Sequence, residues 1–262
     1  MTLAGHGASL ALVARDGAAL DRVVDELEGN GHYTFALDVR DALAWSDVAA
    51  DLRRHGGLDG AVTAAAALTP VGLPGTWDIA QFRETVDVNL TGTMLAVLTF
   101  LQCQEGEQGS IVTFSGGGGT KPLARFDAYA ASKAAVVRLT ENLAWELSSR
   151  GIRANCVAPG FVATEMHQAT LAAGVDAVGR EYYEQTRAAV AGGGGDPPEL
   201  AADLVAFLLS DEADGISGKL ISARWDPWRE PGFQKRLREQ ADLATLRRID
   251  DQFFQAANVS DR

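Results

Sequence analysis

The run Tyr129-Ala-Ala-Ser-Lys133 places a phenol and an ammonium group at positions i and i+4. Residues with this spacing share one face of a helix, so the two groups should meet if the run is helical. An ammonium about 4 Å from the phenol stabilises the phenolate by roughly 4 kcal/mol at an effective dielectric constant of about 20. Before desolvation acts in the opposite direction, that energy would place the tyrosine pKa about three below its ordinary value of about 10. The pair therefore predicts a tyrosine that exchanges a proton with a substrate oxygen. A surface Tyr and Lys on an alanine-rich helix is the alternative.

Three other segments carry the same kind of signal. An apolar strand pattern from Gly109 to Ser115 runs into the glycine tract Gly116 to Gly119. A second strand pattern, Arg153-Ala-Asn-Cys-Val-Ala-Pro159-Gly160, ends in Pro-Gly. The run Asp87-Val-Asn89-Leu-Thr-Gly92 lies earlier, on a predicted helix. In this order and spacing, the segments resemble the short-chain dehydrogenase/reductase family over nearly the whole chain, to about Ala223.

The resemblance implies a fold, a reaction and partners. The implied fold is a Rossmann-like, doubly wound parallel sheet in a three-layer α/β/α arrangement. The implied function is an NAD(P)-dependent oxidoreductase that transfers a hydride between a nicotinamide and a carbonyl/alcohol substrate. By the same resemblance the partners are a small-molecule substrate and further copies of the chain, as a homodimer or homotetramer. Epimerisation or dehydration on the same fold is a weaker alternative, because relatives with those activities use the same tyrosine and lysine.

The resemblance also implies the catalytic residues. Tyr129 is the proton donor and acceptor, and Lys133 lowers its pKa and hydrogen-bonds the nicotinamide ribose. Asn89 resembles the helix asparagine that anchors a proton-relay water, with a helix kink or a surface amide as the alternative. Ser115 is the serine expected to hold the substrate oxygen, although the commonest family spacing from Tyr129 falls on Gly116. Thr113 and Ser110 are weaker candidates, because they lie inside the strand.

For the cofactor, the residue at the end of the second family strand is informative. Arg15 follows the strand pattern Ser9 to Ala14, and no acidic residue stands at Ala14. An arginine there suits a ribose 2′-phosphate, whereas an acidic residue suits the 2′-hydroxyl. NADP is therefore the preferred cofactor over NAD, with Asp16 as a complication. The other cofactor-binding positions implied by the resemblance are Asp38, Val39, Ala64, Lys133, Pro159, Gly160 and Thr164.

Composition excludes several classes of protein. The net charge of −12 argues against a nucleic-acid surface. Cys103 and Cys156 have neither metal-ligand spacing nor a disulfide framework. We therefore expect no bound metal, and we expect the protein to be in a reducing cytoplasm. We expect no apolar stretch to be long enough to span a bilayer, and the N-terminus lacks a secretion signal. No membrane partner is therefore expected.

Strand and helix patterns alternate along the chain, which predicts parallel βαβ units. Residues 1–223 are assigned to the Rossmann-like domain and residues 224–262 to a C-terminal helical extension.

The stretch from Thr164 to Gly195 is either a mobile lid over the substrate, with Met166, Tyr182 and Tyr183 lining an apolar pocket, or an ordinary surface excursion. Asp196 is the expected N-cap of the next helix, with Pro197 at its first position. In the tail, Trp225 and Trp228 either cover the cleft or a subunit contact, or pack an added helix.

One expected unit is missing. A dinucleotide fold opens with a strand, a glycine-rich turn and a helix whose N-terminus meets the pyrophosphate. Here Gly5-His-Gly7 precedes a strand instead of following one, and Ala64 to Ala67 replaces the family's Asn-Asn-Ala-Gly. The absent strand is central in the family, so its loss predicts a gap of about 10 Å in the sheet. We expect a truncated chain or a misplaced start codon. The competing hypothesis is a non-catalytic relative with impaired dinucleotide binding.

Overall fold

A computed structural model describes residues 1–192 and 195–248. Strands and helices alternate along them, as the sequence pattern predicts. The elements are α1 (Thr2–Gly5), β1 (Ala11–Ala14), α2 (Gly17–Asp25), β2 (Tyr33–Ala36), α3 (Ala42–Arg54), β3 (Gly60–Thr63), α4 (Ile79–Val86), a π-helical turn (Asp87–Thr91), α5 (Gly92–Cys103), β4 (Gly109–Phe114), α6 (Asp127–Glu146), β5 (Ile152–Ala158), α7 (Glu165–Val178), α8 (Arg180–Ala191), α9 (Pro198–Leu209), β6 (Leu220–Ser222) and α10 (Pro231–Glu239).

Aspartates begin the first three long helices. The carboxylates of Asp16, Asp41 and Asp78 accept backbone N–H groups from the first turns of α2, α3 and α4, at 2.8–3.1 Å. Such caps satisfy amides that have no partner within the helix. Beyond the end of α6, Gly151 ends a short 3-10 helix, Ser148–Arg150, with the left-handed φ of 68° expected of a helix-terminating glycine. Local sequence therefore determines where these helices begin and end.

The strands form two parallel sheets. β1 pairs with β2, and a separate sheet has the order β3-β4-β5-β6. Within residues 1–192 and 195–248, no strand connects β1 to β3, which is the position of the predicted gap. Val62 of β3 is 39% exposed, although apolar residues of parallel sheets are normally covered on both faces. The predicted doubly wound α/β fold is confirmed, and its sheet is divided in two.

Helices cover both faces of the larger sheet. Successive residues of β4 point to opposite faces, so Ile111 and Val112 belong to different core clusters. Ile111 packs with Phe100 of α5 and Leu143 of α6. Val112 packs with side chains of α9 and α10 that are at most 1% exposed, among them Leu204, Leu208 and Leu237. The result is the expected three-layer arrangement, with the sheet between two layers of helices.

The expectation that no stretch could span a bilayer is wrong by length and composition alone. The helical segment Ile79–Cys103 has a mean hydropathy of 1.3 over its most apolar window. Val97, Phe100 and Cys103 of this segment are fully buried in the described part of the chain, against the sheet and α3. Core helices of globular domains commonly have this composition, because they are covered on several sides.

The structure corrects the expected cap at Asp196 and separates the two tail tryptophans. Asp196 is not an N-cap, because α9 begins at Pro198 and the Asp196 carboxylate bonds elsewhere. In the tail, Trp228 is buried against Phe207, with ring centroids 5.6 Å apart, whereas Trp225 is 74% exposed. Packing of the added helix α10 thus explains Trp228 but not Trp225. The predicted helical extension over residues 224–262 continues outside the described residues, and the division at residue 223 stays a prediction.

Candidate functional site

The expected site residues follow the ends of neighbouring strands. Arg15 follows β1, Ala64 follows β3, Ser115 follows β4 and Pro159 follows β5, with Asp38 two residues beyond the end of β2. Since the strands of each sheet are parallel, their carboxyl ends lie at one edge of that sheet. Open α/β sheets bind ligands in the crevice at this edge. Topology therefore places the predicted residues along a single edge in each of the two sheets.

Tyr129 and Lys133 are adjacent on α6. The Lys133 Nζ lies 5.9 Å from the centroid of the Tyr129 ring and donates a hydrogen bond of 2.9 Å to the Phe114 carbonyl. The Tyr129 hydroxyl makes no hydrogen bond to any described residue. Burial raises the pKa of Tyr129 to about 12, and the nearby Tyr182 adds to this effect. The lowering expected from Lys133 is not found in this structure, in which the ammonium donates to a carbonyl and burial raises the pKa of Tyr129.

Lys133 is itself strongly perturbed. Its side chain is among the most buried polar groups, with the residue only 3% exposed. Burial lowers its pKa to about 8, with the Cys156 thiol acting in the opposite direction. Lys133 is therefore mostly charged at pH 7, while Tyr129 carries its proton. A neutral phenol beside an ammonium group is the state required to donate a proton to a carbonyl oxygen.

The glycine tract lies directly against this pair. A Cβ built on Gly116 would be 2.0 Å from the Tyr129 hydroxyl oxygen, and one built on Gly118 would be 2.5 Å from the Ala130 Cβ. A Cβ on Gly119 would be 2.1 Å from the Ser115 Oγ. A hydrogen bond of 2.9 Å from the Gly119 N–H to the Gly116 carbonyl closes the loop. These glycines let the backbone approach both hydroxyl groups closely.

We expect Gly116→Ala to displace the Tyr129 hydroxyl. The added methyl overlaps that oxygen, so the loop or the phenol must move, and overpacking of this kind costs roughly 1–3 kcal/mol. Activity should fall by at least about 100-fold, because small misplacement of a reacting group has an effect of that size. Gly117→Ala is the matched control, since a Cβ there meets nothing within 4 Å. Steady-state kinetics and thermal unfolding of both variants check the expectation, and equal activities would contradict it.

Among the candidate hydroxyls of β4, Ser115 is distinguished by its missing partner. Its Oγ is buried without a hydrogen bond in the described structure, and the residue is 4% exposed. The Thr113 Oγ1 pairs with the Thr140 Oγ1 at 2.7 Å, and the Ser110 Oγ donates to the Leu208 carbonyl at 2.8 Å. An unsatisfied buried hydroxyl costs stability and thus calls for a ligand or another explanation. The structure therefore favours Ser115 over Thr113 and Ser110.

Asn89 lies in the π-helical turn between α4 and α5. Its Oδ1 accepts the Ala67 N–H at 2.7 Å, and its Nδ2 donates to the Ala67 carbonyl and to the Ser132 Oγ, both at 2.9 Å. Ser132 in turn donates to the Tyr129 carbonyl at 2.8 Å. Asn89 therefore links the loop after β3 to the helix that carries Tyr129, and its Nδ2 has no further proton to donate. π-Helical turns often occur at functional sites.

The lid helices α7 and α8 cover the start of α6. The rings of Phe126 and Tyr182 are tilted with centroids 4.9 Å apart. Arg125 donates to the Asp176 carbonyl at 2.7 Å, near the end of α7. A nearby cavity of about 270 Å³ lies between α7 and the loop after β3, and it does not include Met166, Tyr182 or Tyr183. Its lining residues are Leu68, Thr69, Pro70, Val71, Thr76, Trp77, Gln81, Ala169, Thr170 and Ala173.

Two arginines face the adenosine end of the expected cofactor site. Arg15 is exposed and forms no ion pair with any described residue. Asp38 is held by Arg40, whose Nε and terminal nitrogen donate at 2.9 and 2.6 Å. These hydrogen bonds lower the pKa of Asp38 to about 2. The next residue, Val39, accepts the Trp45 Nε1–H at 2.9 Å through its carbonyl and packs on Gly92.

The remaining cofactor candidates lie on loops at the same edges. Ala64 is exposed after β3, and Pro159 is half-buried after β5. Gly160 is exposed and has a φ of 85°, a backbone conformation that residues with a side chain rarely adopt. Thr164 is exposed at the start of α7, where its N–H lies 3.4 Å from the His167 Nδ1. Burial lowers the pKa of His167.

Two neighbours of these residues were missed in the sequence. Ser132 lies within the Tyr129–Lys133 run, and its position three residues after Tyr129 could have suggested the contact. Arg40 lies two residues after Asp38, a spacing at which a bidentate pair is not evident from sequence alone. No group of three or more His, Cys, Asp or Glu residues in the described chain could hold a metal ion.

The described residues suit the nicotinamide and adenosine ends of a dinucleotide better than its pyrophosphate. The unpartnered Ser115 Oγ and the buried Lys133 ammonium suit a nicotinamide and its ribose, and the exposed Arg15 suits a phosphate on the 2′ position of the adenosine ribose. A glycine turn that follows a strand and begins a helix, as pyrophosphate binding normally requires, is absent from residues 1–192 and 195–248.

Comparisons with known proteins agree with this architecture. A family model described as enoyl-(acyl carrier protein) reductase matches residues 1–223. The 2,3-dihydro-2,3-dihydroxybenzoate dehydrogenase of Bacillus subtilis is 33% identical over 222 residues, covering 82% of this chain and 85% of that protein. A Xanthobacter autotrophicus protein described as an inactive 2-(S)-hydroxypropyl-CoM dehydrogenase is 34% identical over 215 residues, covering 81% and 91%.

A solved structure is similar over the same part of the chain. A variant of actinorhodin polyketide ketoreductase, crystallised with NADPH, superposes with a TM-score of 0.75 at 26% identity, covering 84% of this chain and 88% of that one. The motif order, the doubly wound fold and these matches agree with one another. The chain therefore belongs to the short-chain dehydrogenase/reductase family of NAD(P)-dependent oxidoreductases.

Proposed function

We propose that this enzyme transfers a hydride between a nicotinamide and a carbonyl/alcohol substrate, with Tyr129 as the acid and base. The observation that carries the proposal is the arrangement of two unpaired hydroxyls, those of Tyr129 and Ser115, around one glycine loop. Lys133 supports it as a buried cation on the same helix face. When bound, the nicotinamide supplies the hydride chemistry, and the protein supplies position and proton transfer.

In the direction of reduction, each group has a separate task. The Ser115 Oγ donates a hydrogen bond to the substrate carbonyl oxygen and so orients it. Tyr129, which is protonated at neutral pH because of its raised pKa, gives that oxygen its proton. Lys133 then stabilises the phenolate that remains, provided that its ammonium turns from the Phe114 carbonyl toward the site. Asn89 holds the neighbouring backbone through Ala67 and Ser132.

We propose NADP as the preferred cofactor. Arg15, free of ion pairs among the described residues, would hold the 2′-phosphate, while Arg40 neutralises the nearby Asp38. Asp38 and Val39 would contact the adenine, and Ala64, Pro159, Gly160 and Thr164 would line the rest of the cofactor. Lys133 would hold the nicotinamide ribose. These roles follow from the carboxyl-edge placement of the residues together with the family resemblance.

Titration of the folded protein with NADPH and with NADH tests the proposal. Wild type should bind NADPH more tightly, and Arg15→Gln should raise its Kd for NADPH about tenfold while leaving NADH unchanged, as expected for loss of one charge-assisted contact. Arg22→Gln, an exposed arginine on α2, is the control. An equal effect on both dinucleotides would contradict the role of Arg15.

A second candidate function has its own support. A non-catalytic relative that binds dinucleotide poorly would fit the divided sheet and the replacement of the family's Asn-Asn-Ala-Gly by Ala64 to Ala67. It would also fit the similarity to a relative described as inactive. If a folded sample binds neither dinucleotide at millimolar concentration, this second function replaces the first.

We also propose the assembly, compartment and domain division. A homodimer or homotetramer is supported by apolar side chains left exposed on two helices, Leu98 of α5 at 40% and Trp145 of α6 at 85%. Buried free thiols at Cys103 and Cys156 suit a reducing cytoplasm. The family match ends at residue 223, which supports a helical extension from residue 224.

A further inference from the structure

We propose that Asp196 is a positioning residue, which ties the base of the lid to the Pro159–Phe161 segment and thereby sets the affinity for dinucleotide. The inference rests on the proposed function, because that segment is expected to line the nicotinamide. Asp196 is not part of the sequence motifs that identify the family here. It is 7% exposed, and its side chain contacts two separate parts of the chain, the Gly160–Phe161 segment and Arg224.

Asp196 joins the two ends of the lid. Its Oδ2 accepts the Phe161 N–H at 2.8 Å, and its own N–H donates to the Phe161 carbonyl at 2.6 Å. An antiparallel bridge between Val162 and Gly195 lies beside this pair. The chain therefore enters and leaves the lid helices α7 and α8 at one hydrogen-bonded point. The ring of Phe161 also contacts His167 in the first turn of α7, with centroids 4.0 Å apart.

The same carboxylate lies against Gly160. A Cβ built on Gly160 would be 2.4 Å from the Asp196 Oδ2, and the glycine has a φ of 85°. The backbone at Gly160 is therefore enclosed on one side by Asp196 and has a conformation that other residues would strain to adopt. Gly160 is nevertheless exposed, which leaves part of its backbone accessible.

The third contact comes from the tail. A terminal nitrogen of Arg224 lies 2.5 Å from the Asp196 Oδ1, and its guanidinium is 4.5 Å from the centre of the exposed Trp225 ring. This arginine compensates the charge of a carboxylate that is otherwise out of water. We call Phe161, Asp196 and Arg224 the lid-base cluster. It connects the first residues after β6 to the segment after β5.

The test compares Asp196→Ala, Asp196→Asn and the control Asp203→Asn. Alanine removes both side-chain contacts, whereas asparagine keeps an acceptor for the Phe161 N–H and loses only the ion pair. Asp203 forms an exposed ion pair with Arg229, so its variant reports the loss of an ordinary surface charge. The measurements are amide hydrogen exchange of residues 160–163, the NADPH Kd and the thermal midpoint.

We expect Asp196→Ala to speed exchange at Phe161 at least tenfold and to raise the NADPH Kd by about tenfold. Asp196→Asn should restore most of the protection and of the affinity, and Asp203→Asn should match wild type in both. Faster exchange with an unchanged Kd would overturn the positioning role, as would unchanged exchange. An Asp196→Asn variant as impaired as alanine would also overturn it. If wild type itself fails to bind NADPH while exchange responds as expected, the proposed function fails, and the positioning of a cofactor by Asp196 fails with it.

Discussion

Replacing Tyr129 with phenylalanine should lower kcat by roughly 10²–10⁴-fold, the usual contribution of a positioned proton donor. The hydroxyl forms no hydrogen bond within the described protein, so its removal breaks no internal contact. The ring itself stays, and with it the packing beside Lys133. We therefore expect the loss in kcat without a change in the dinucleotide Kd or in the thermal midpoint.

The control is Tyr33→Phe, which removes a hydroxyl from β2, where the ring packs on His55 at 4.5 Å. Its kcat should stay within about twofold of wild type, as for ordinary surface substitutions. The two variants would be compared for NADPH oxidation with the same carbonyl substrate. A Tyr129→Phe enzyme with wild-type kcat would show that the proton comes from another group.

The second large effect concerns stability and involves Lys133. Its pKa falls from 10.5 to about 8 on folding, which corresponds to about 3 kcal/mol for holding the charge at neutral pH. Between about pH 8 and pH 10.5 the unfolded chain binds more protons at this lysine than the folded chain does. The Lys133 contribution to the free energy of unfolding therefore rises with pH across that window, and the full cost is present below pH 8.

Lys133→Met removes this term while it also loses the hydrogen bond to the Phe114 carbonyl. The lost hydrogen bond changes the free energy of unfolding at both pH values. Comparing the wild-type and variant stabilities at two pH values therefore removes its contribution and leaves the effect of the Lys133 titration. From pH 7 to pH 10.5, wild type should gain about 3 kcal/mol relative to Lys133→Met in urea unfolding. Lys235→Met, which changes an exposed lysine on α10, should show no such relative gain. Parallel pH profiles for wild type and Lys133→Met would mean that Lys133 is not a buried charge.

Much of the fold follows from local patterns. Strand and helix periodicity predicted the alternation, and the cap at Asp41 and the stop at Gly151 follow from residue type alone. The run Asp87 to Gly92 was predicted to lie on a helix, without the π-helical turn that it forms. That turn is tied by the Asn89 side chain to Ala67, and such a contact between distant residues leaves no periodic signal.

The site was predicted less completely, for the same reason. Spacing placed Tyr129 and Lys133 on one helix face, yet it could not show that the Phe114 carbonyl would compete for the ammonium. The expected cap at Asp196 failed, because Phe161 and Arg224 offer that carboxylate stronger partners than the helix amides do. Local rules thus predicted the candidate reacting groups, while tertiary contacts determine the protonation and orientation that those groups have in this structure.

The most direct test of the account is a crystal structure of the protein grown with saturating NADPH. We predict the nicotinamide ribose within hydrogen-bond distance of the Lys133 Nζ, and the nicotinamide ring beside the hydroxyls of Tyr129 and Ser115. The ammonium should have left the Phe114 carbonyl, to which it donates in the free protein. A dinucleotide bound away from these residues, or a Tyr129 hydroxyl still covered by Gly116 in the complex, would contradict the assignment of Tyr129 as the acid and base.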